Sequence, residues 1–229
     1  MATVEASSDA PLGERSAGWA GIAFVALSTL WVVVVSIVGA PQLSQATTEE
    51  FASFYDDQGN RISLILASLG LALAGFAFLW FLGGLRSVMR RAEGDGGTLS
   101  TTVVVSGAVL GALLFVFNAI NVAVAWALEE SDNFQFDPNS AQLFEGLSYL
   151  LAIQGAFIGA AFIGAASLMF RKTAIYPSWV ARGGFVIAAL NFLLAFPIHG
   201  VSLILLLPWV LVIGVLMLSR SSGERSGVA

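Results

Sequence analysis

GGFVIAALNFLLAFPIHGVSLILLLPWVLVIGVLML, Gly183 to Leu218, is the stretch on which the fold turns. It contains no Asp, Glu, Lys or Arg, and it is far longer than the roughly 20 apolar residues a helix needs to cross bilayer hydrocarbon at ~1.5 Å per residue. Read as one span it leaves the two termini on opposite sides of a membrane; read as two it puts them on the same side. Pro197-Ile198-His199-Gly200 divides it. Proline has no N–H and pushes the residue before it out of the α region. The spacing therefore predicts a fifth span over 178–196, a tight turn, and a sixth span over 200–218. Pro208 is followed by no polar run, so it predicts a kink within the sixth span rather than a break.

Working outward, four more uncharged stretches of spanning length precede these two, at about 19–39, 62–82, 102–128 and 147–170. The expected fold is an all-α, polytopic transmembrane bundle of six helices. Composition agrees, because only 11% of the chain is charged and 57% is apolar, whereas a soluble domain carries roughly 25% charge. With no cysteine in the chain, a disulfide framework and a thiolate metal site are excluded. Val38-Gly39-Ala40 loosely resembles a signal-peptide cleavage site, but the apolar core before it is about 20 residues where signal peptides have ~7–15. The first span is therefore read as a retained helix. Residues 1–18 and 219–229, rich in Ser, Gly and Ala, read as disordered tails.

Charge sets the expected orientation. Arg15, Arg86, Arg90, Arg91, Arg171, Lys172, Arg182, Arg220 and Arg225 all fall on one face of this topology, and Arg61 alone falls on the other. The positive-inside rule makes the basic face cytoplasmic, with both termini inside a plasma membrane. Glu49, Glu50, Asp56, Asp57, Glu129, Glu130, Asp132, Asp137 and Glu145 gather on the outer face. Trp19, Trp80, Tyr176 and Trp179 fall at the inner interface, and Trp126 and Tyr149 at the outer one, as amphipathic rings do. Trp31 and Trp209 fit neither belt and are expected between helices.

The outer loops carry local structure signals. Thr47 to Glu50 matches a capping box, and Phe51, Phe54 and Tyr55 follow at helical spacing. A short amphipathic helix in the first outer loop is expected, either lying on the interface or capping the bundle. Asp137-Pro138 matches an N-cap with proline at the first helical position, so the fourth span begins above the membrane. The acids of 129–137 lack the ligand spacing and turn glycine of a calcium loop and read as solvated. On the inner face, 92–100 reads as a flexible linker.

Apart from Arg182, in the first two turns of the fifth span at its basic end, no Asp, Glu, Lys, Arg or His lies within a span, which weighs against catalysis and ion-coupled transport, since both usually need titratable groups at depth. The single histidine, His199, sits at a turn, and neither a zinc-protease motif nor a phosphate-binding glycine loop is present. No metal, cofactor or nucleic-acid partner is expected. Asn118 and Asn121, Gln154 and Asn191 are the intramembrane polar residues, all in the outer half of their spans, with Ser68 at similar depth. They read either as interhelical hydrogen bonds or as a ligand-binding polar cluster. Gly107 with Gly111, and Gly155 with Gly159, have the spacing that lets helices pack closely, within the bundle or in a homo-oligomer. Arg86, Arg90 and Arg91 are placed to meet anionic headgroups of membrane lipid, or only to set topology.

The segment Ile175-Tyr176-Pro177-Ser178-Trp179-Val180-Ala181-Arg182-Gly183-Gly184 resembles uncharacterised bacterial six-helix integral membrane proteins that share a domain of unknown function. In that group a Pro-x-Trp-[Leu/Val]-Ala segment precedes the fifth helix. The resemblance implies six helices and brings no catalytic residues with it. Two function classes follow: a non-enzymatic lipid- or small-molecule-binding or accessory membrane protein, and alternatively a small-solute transporter or channel subunit.

Overall fold

The computed structural model describes residues 10–42, 46–94, 97–197 and 201–226. All its regular structure is helical: α1 (Ala10–Val38), α2 (Thr48–Asp56), α3 (Gln58–Glu93), α4 (Thr98–Glu130), α5 (Pro138–Thr173), α6 (Ser178–Leu194) and α7 (Val201–Ser226). Five of these, α1, α3, α4, α5 and α7, are long and apolar enough to cross a membrane. The stretch quoted at the outset is divided, as the prolines require, into α6 and α7, with Pro197 in the turn after α6. His199 and Gly200 lie outside the described residues. At 17 residues, α6 is apolar but shorter than the other five. Pro208 sits inside α7, which continues through it.

Neighbouring long helices run antiparallel, and the charges separate to the two ends. At the basic end Arg91 of α3 pairs with Glu14 of α1, and Arg220 of α7 donates to the Ile175 carbonyl after α5. At the acidic end Arg61 of α3 meets Glu129 of α4 at 2.6 Å, and Tyr149 of α5 donates to the Phe196 carbonyl beyond α6 at 2.8 Å. Around the bundle the order is α7, α1, α3, α4, α5, α6, with α6 and α5 touching α7 to close the ring.

Several helices extend beyond their apolar stretches, and this corrects the sequence reading of tails and linkers. Helix α1 starts at Ala10 and not near Trp19, since Glu14 gains a partner in Arg91. Helix α7 reaches Ser226, so 219–226 is helical and not a loose tail. The linker expected over 92–100 shrinks to the residues between Glu93 and Thr98. Gly94, at φ 72°, ends α3 in a conformation that L side chains resist. Glu93 then accepts the Leu99 and Ser100 N–H groups at 2.7 and 2.9 Å, capping α4 where its own N-cap residue, Gly97, has no side chain to do so.

The core is thickest toward the basic end. Phe24 of α1, Phe78 and Phe81 of α3, Phe162 and Phe170 of α5, and Trp209 of α7 are all buried there, neighbouring rings lying with centroids 5.1 to 6.3 Å apart. Trp209 is thus between helices, as expected, and Trp31 packs edge-on to Phe117 at 5.7 Å. Trp19, Trp80, Trp126 and Trp179 are exposed on the flank of the bundle. Tyr176 departs from the interfacial placement: its ring is buried against Phe170 at 4.8 Å, with the Arg220 guanidinium 5.6 Å above it. The remaining outer flank is apolar, with Ile37, Leu66, Phe76, Phe192 and Leu193 all mostly exposed, a surface that water does not tolerate at this extent.

Small residues set the closest approaches. A Cβ at Gly107 would meet Leu82 at 2.7 Å and Phe162 at 3.1 Å, and one at Gly111 would meet Leu79 at 3.0 Å, so this pair seats α4 on α3 and α5. Gly155 and Gly159 are buried on α5, and a Cβ at Gly159 would meet nothing within 4 Å. The tighter contacts lie elsewhere: Gly18 of α1 against Gly214 of α7, Gly84 of α3 against Ala17 of α1, and Gly184 of α6 against Ser167 and Trp209.

Candidate functional site

At the acidic end α2 closes the bundle. Its capping box is formed, with Thr47 Oγ1 accepting the Glu50 N–H at 3.2 Å and Glu50 accepting the Thr47 N–H at 2.6 Å. Asp57 ends α2 and, by accepting the Asn60 N–H, starts α3 without a loop. Phe51 and Phe54 are buried, and Phe51 packs with Val124 of α4 and Ala141 of α5. The helix is therefore a cap on the bundle, and of the two sequence alternatives this is the one the packing supports. Across it, Asp137 caps α5, accepting from the Asn139 N–H and the Ser140 hydroxyl. Those hydrogen bonds, the Asn139 N–H first, hold the Asp137 carboxyl below its ordinary pKa.

Beneath α2 lies a cavity of about 40 Å³. Its walls are Trp31 of α1, Tyr55 of α2, Ser68 of α3, Asn118 and Asn121 of α4, and Glu145 of α5, with Ala40 and Pro41, which follow α1, also in the lining. Ser68 and Asn118 form a closed pair: the Ser68 hydroxyl donates to Asn118 Oδ1 at 2.9 Å, and Asn118 Nδ2 donates to the Ser68 carbonyl at 3.0 Å. Asn121 Nδ2 donates to the Phe117 carbonyl at 2.8 Å and to the Ser148 hydroxyl at 3.1 Å, tying α4 to α5. Glu145 is partly buried, and loss of water raises its carboxyl above the ordinary value. Burial first, and then the charge of Glu145, push the Tyr55 hydroxyl up to about 12.

The four amide residues singled out from the sequence do not all converge. Asn118 and Asn121 share the cavity. Asn191 is fully buried on α6 and, among the described residues, donates only to the Ile187 carbonyl of its own helix, at 3.4 Å. Gln154 is on the exposed flank of α5. Glu145, Ser148, Tyr55 and Trp31 were not singled out as site residues. With α5 starting at Pro138, Glu145 and Ser148 are three residues apart on one helical face, and that spacing was readable once the Asp137-Pro138 signal was extended through the next two turns.

Nearby charge is accounted for. Arg61 is held by Glu129, and it donates to the Tyr55 and Asp56 carbonyls at 2.6 and 3.1 Å. That contact, with Gln58 adding a second hydrogen bond, keeps the Glu129 carboxyl below its ordinary pKa. At the opposite end Arg86 and Arg90 are exposed, while Arg91 is taken up by Glu14. No protein-family model matches the chain, and neither a curated protein nor a solved structure matches it.

Proposed function

We propose that the chain is a non-enzymatic, multi-pass plasma-membrane protein that binds a small polar molecule in the cavity beneath α2. The observation that carries this reading is the cavity itself. A space of about 40 Å³ holds about three waters at roughly 10–15 Å³ each, and it is lined by one carboxylate, two amides and two hydroxyl groups. A site of that size takes a few-atom solute, or the tip of a larger molecule entering from the acidic end. The reading is supported over a transporter or channel by what lies further in, where the buried aromatic side chains fill the bundle.

The membrane setting belongs to the same proposal. Five long apolar helices with α6 as a shorter sixth crossing leave both termini at the basic end, which the positive-inside rule puts in the cytoplasm. About 17 residues is the lower limit for a spanning helix. The cavity then opens toward the outer surface. Membrane lipid surrounds the apolar flank, and a second copy of the chain is the proposed partner for Gln154, whose exposed amide otherwise faces hydrocarbon. Sedimentation of detergent-solubilised Gln154→Leu against the parent chain tests that partner; an unchanged mass contradicts it.

Thermal unfolding of the detergent-solubilised chain, followed against a panel of small polar solutes, tests the function. At least one solute is expected to raise the melting temperature in proportion to its concentration. Val122→Phe, which grows a ring into the cavity wall, is expected to abolish that rise. A melting temperature indifferent to every solute in the panel contradicts the reading.

A further inference from the structure

The hydrogen-bond accounts of the cavity specify what its occupant must bring. Both Asn121 Nδ2 hydrogens are spent on Phe117 and Ser148, which leaves its Oδ1 as the available atom. Asn118 and Ser68 satisfy each other. Among the described residues nothing donates to the Glu145 carboxylate, and the Tyr55 hydroxyl is unengaged. The open groups are thus an amide oxygen, two carboxylate oxygens and one phenol. All are acceptors except the phenol, which is both donor and acceptor. An occupant that satisfies them has to be a donor, and one carboxylate among them favours a donor with positive charge.

Among the described residues none at this end supplies such a charge. Arg61 is the only Lys or Arg between Arg15 and Arg86, and it is committed to Glu129 and to backbone carbonyls. A bare metal cation is poorly served. Calcium takes 6–8 oxygens and magnesium a near-ideal octahedron, whereas this lining sets Trp31, Phe51 and Tyr55, with Val35, Leu64 and Val122, around a single carboxylate. Aromatic faces beside a carboxylate are the surroundings in which an organic ammonium is stabilised, by ring quadrupole and by counter-charge together. The acids of the loops around it, Glu49, Glu50, Asp56, Asp57, Glu130 and Asp132, add a negative field that draws cations to this end of the bundle.

We propose that the cavity between α1, α2, α3, α4 and α5 is an ammonium site, with Glu145 as counter-ion, Asn121 Oδ1 and the Tyr55 hydroxyl as hydrogen-bond acceptors, and Trp31 as the aromatic wall. The occupant is the –NH₃⁺ end of a small amine, either free or at the head of an ethanolamine lipid in the outer leaflet. This rests on the reading of the cavity as a binding site and adds the class of ligand. The volume suits the ammonium with one or two carbons, so the rest of a larger molecule stays outside the cavity.

The test uses the full chain in phosphatidylcholine nanodiscs at neutral pH, with ethanolamine as the probe and ethylene glycol, its uncharged isostere, as the control. Ethanolamine is expected to raise the melting temperature with a saturable dose dependence, and ethylene glycol is expected to do so at least tenfold less effectively. Glu145→Gln is expected to erase the difference between the two solutes. Trp31→Leu keeps the carboxylate and serves if Glu145→Gln does not fold; it is expected to weaken ethanolamine several-fold. Nanodiscs containing phosphatidylethanolamine distinguish the sources. If the lipid raises the melting temperature and blunts the effect of free ethanolamine, the headgroup is the occupant; if only the free amine acts, the amine is. Equal effects of ethanolamine and ethylene glycol, or an ethanolamine effect that survives both substitutions, overturn the ammonium assignment while leaving a polar binding cavity. No effect from either solute or from phosphatidylethanolamine overturns the assignment; indifference to the wider solute panel contradicts the binding reading as well.

Discussion

Glu145 holds a carboxylate where solvent is scarce, and this has a measurable cost. Its pKa is raised in the fold, so the folded state disfavours the charged form relative to the unfolded chain. Stability contributed by the neutral acid is present below the ordinary carboxylate pKa and is lost as pH rises through the folded value. Without ligand, Glu145→Gln is therefore expected to melt above the parent chain at pH 7 and to match it at low pH; a lower melting temperature at pH 7 would mean that the charge is paired. Asp137 behaves in the opposite sense. Its pKa is depressed by the Asn139 and Ser140 hydrogen bonds, so its contribution is present above the unfolded value of about 3.9 and disappears as pH falls below it. Asp137→Asn keeps a capping oxygen at α5 but does not titrate, and its melting temperature is expected to fall less than the parent's between pH 5 and pH 3. Equal losses would show that the cap carries no charge-dependent stability.

At the scale of elements, contact between helices depends on what their small residues admit. At Gly84 the missing Cβ makes room for Ala17 of α1, and Gly84→Ala is expected to cost about 1–3 kcal/mol through overpacking, read as a lower midpoint in denaturant unfolding. Gly159→Ala, placed where a Cβ meets nothing within 4 Å, is the control expected to be near neutral. This contrast was not legible from spacing. Gly155 and Gly159 repeat at the same interval as Gly107 and Gly111, yet spacing says only that two glycines share a face, and which neighbour that face meets is decided by the order of helices around the bundle. Termini of the elements were legible where a side chain captures a backbone N–H nearby in sequence, as at Thr47 with Glu50 and at Asp137. They were not legible where the cap comes from the preceding helix, as with Glu93 over α4, or where a helix extends past its apolar stretch to reach an ion pair, as α1 does with Glu14.

For the molecule as a whole, hydropathy and the prolines revealed the helices, and Asn118 and Asn121 pointed to the region of the cavity. Gln154 and Asn191 sit at a similar depth along their helices but face other ways, because depth is read from sequence position and direction from packing. Glu145 was counted only among the acids of the outer face, since its burial depends on α2 folding over it. Everything proposed about the cavity rests on the acidic end facing outward and on α6 crossing the membrane. The chain has no cysteine, so single cysteines introduced into it report their side directly. Ser53 on α2, Phe196 after α6 and Ser87 near the basic end are all exposed. In intact cells treated with a membrane-impermeant maleimide, Ser53→Cys and Phe196→Cys are predicted to label, and Ser87→Cys only after permeabilisation. Labelling of Ser87→Cys before permeabilisation, or protection of Phe196→Cys while Ser53→Cys reacts, would contradict the six-span orientation and with it the outward-facing site.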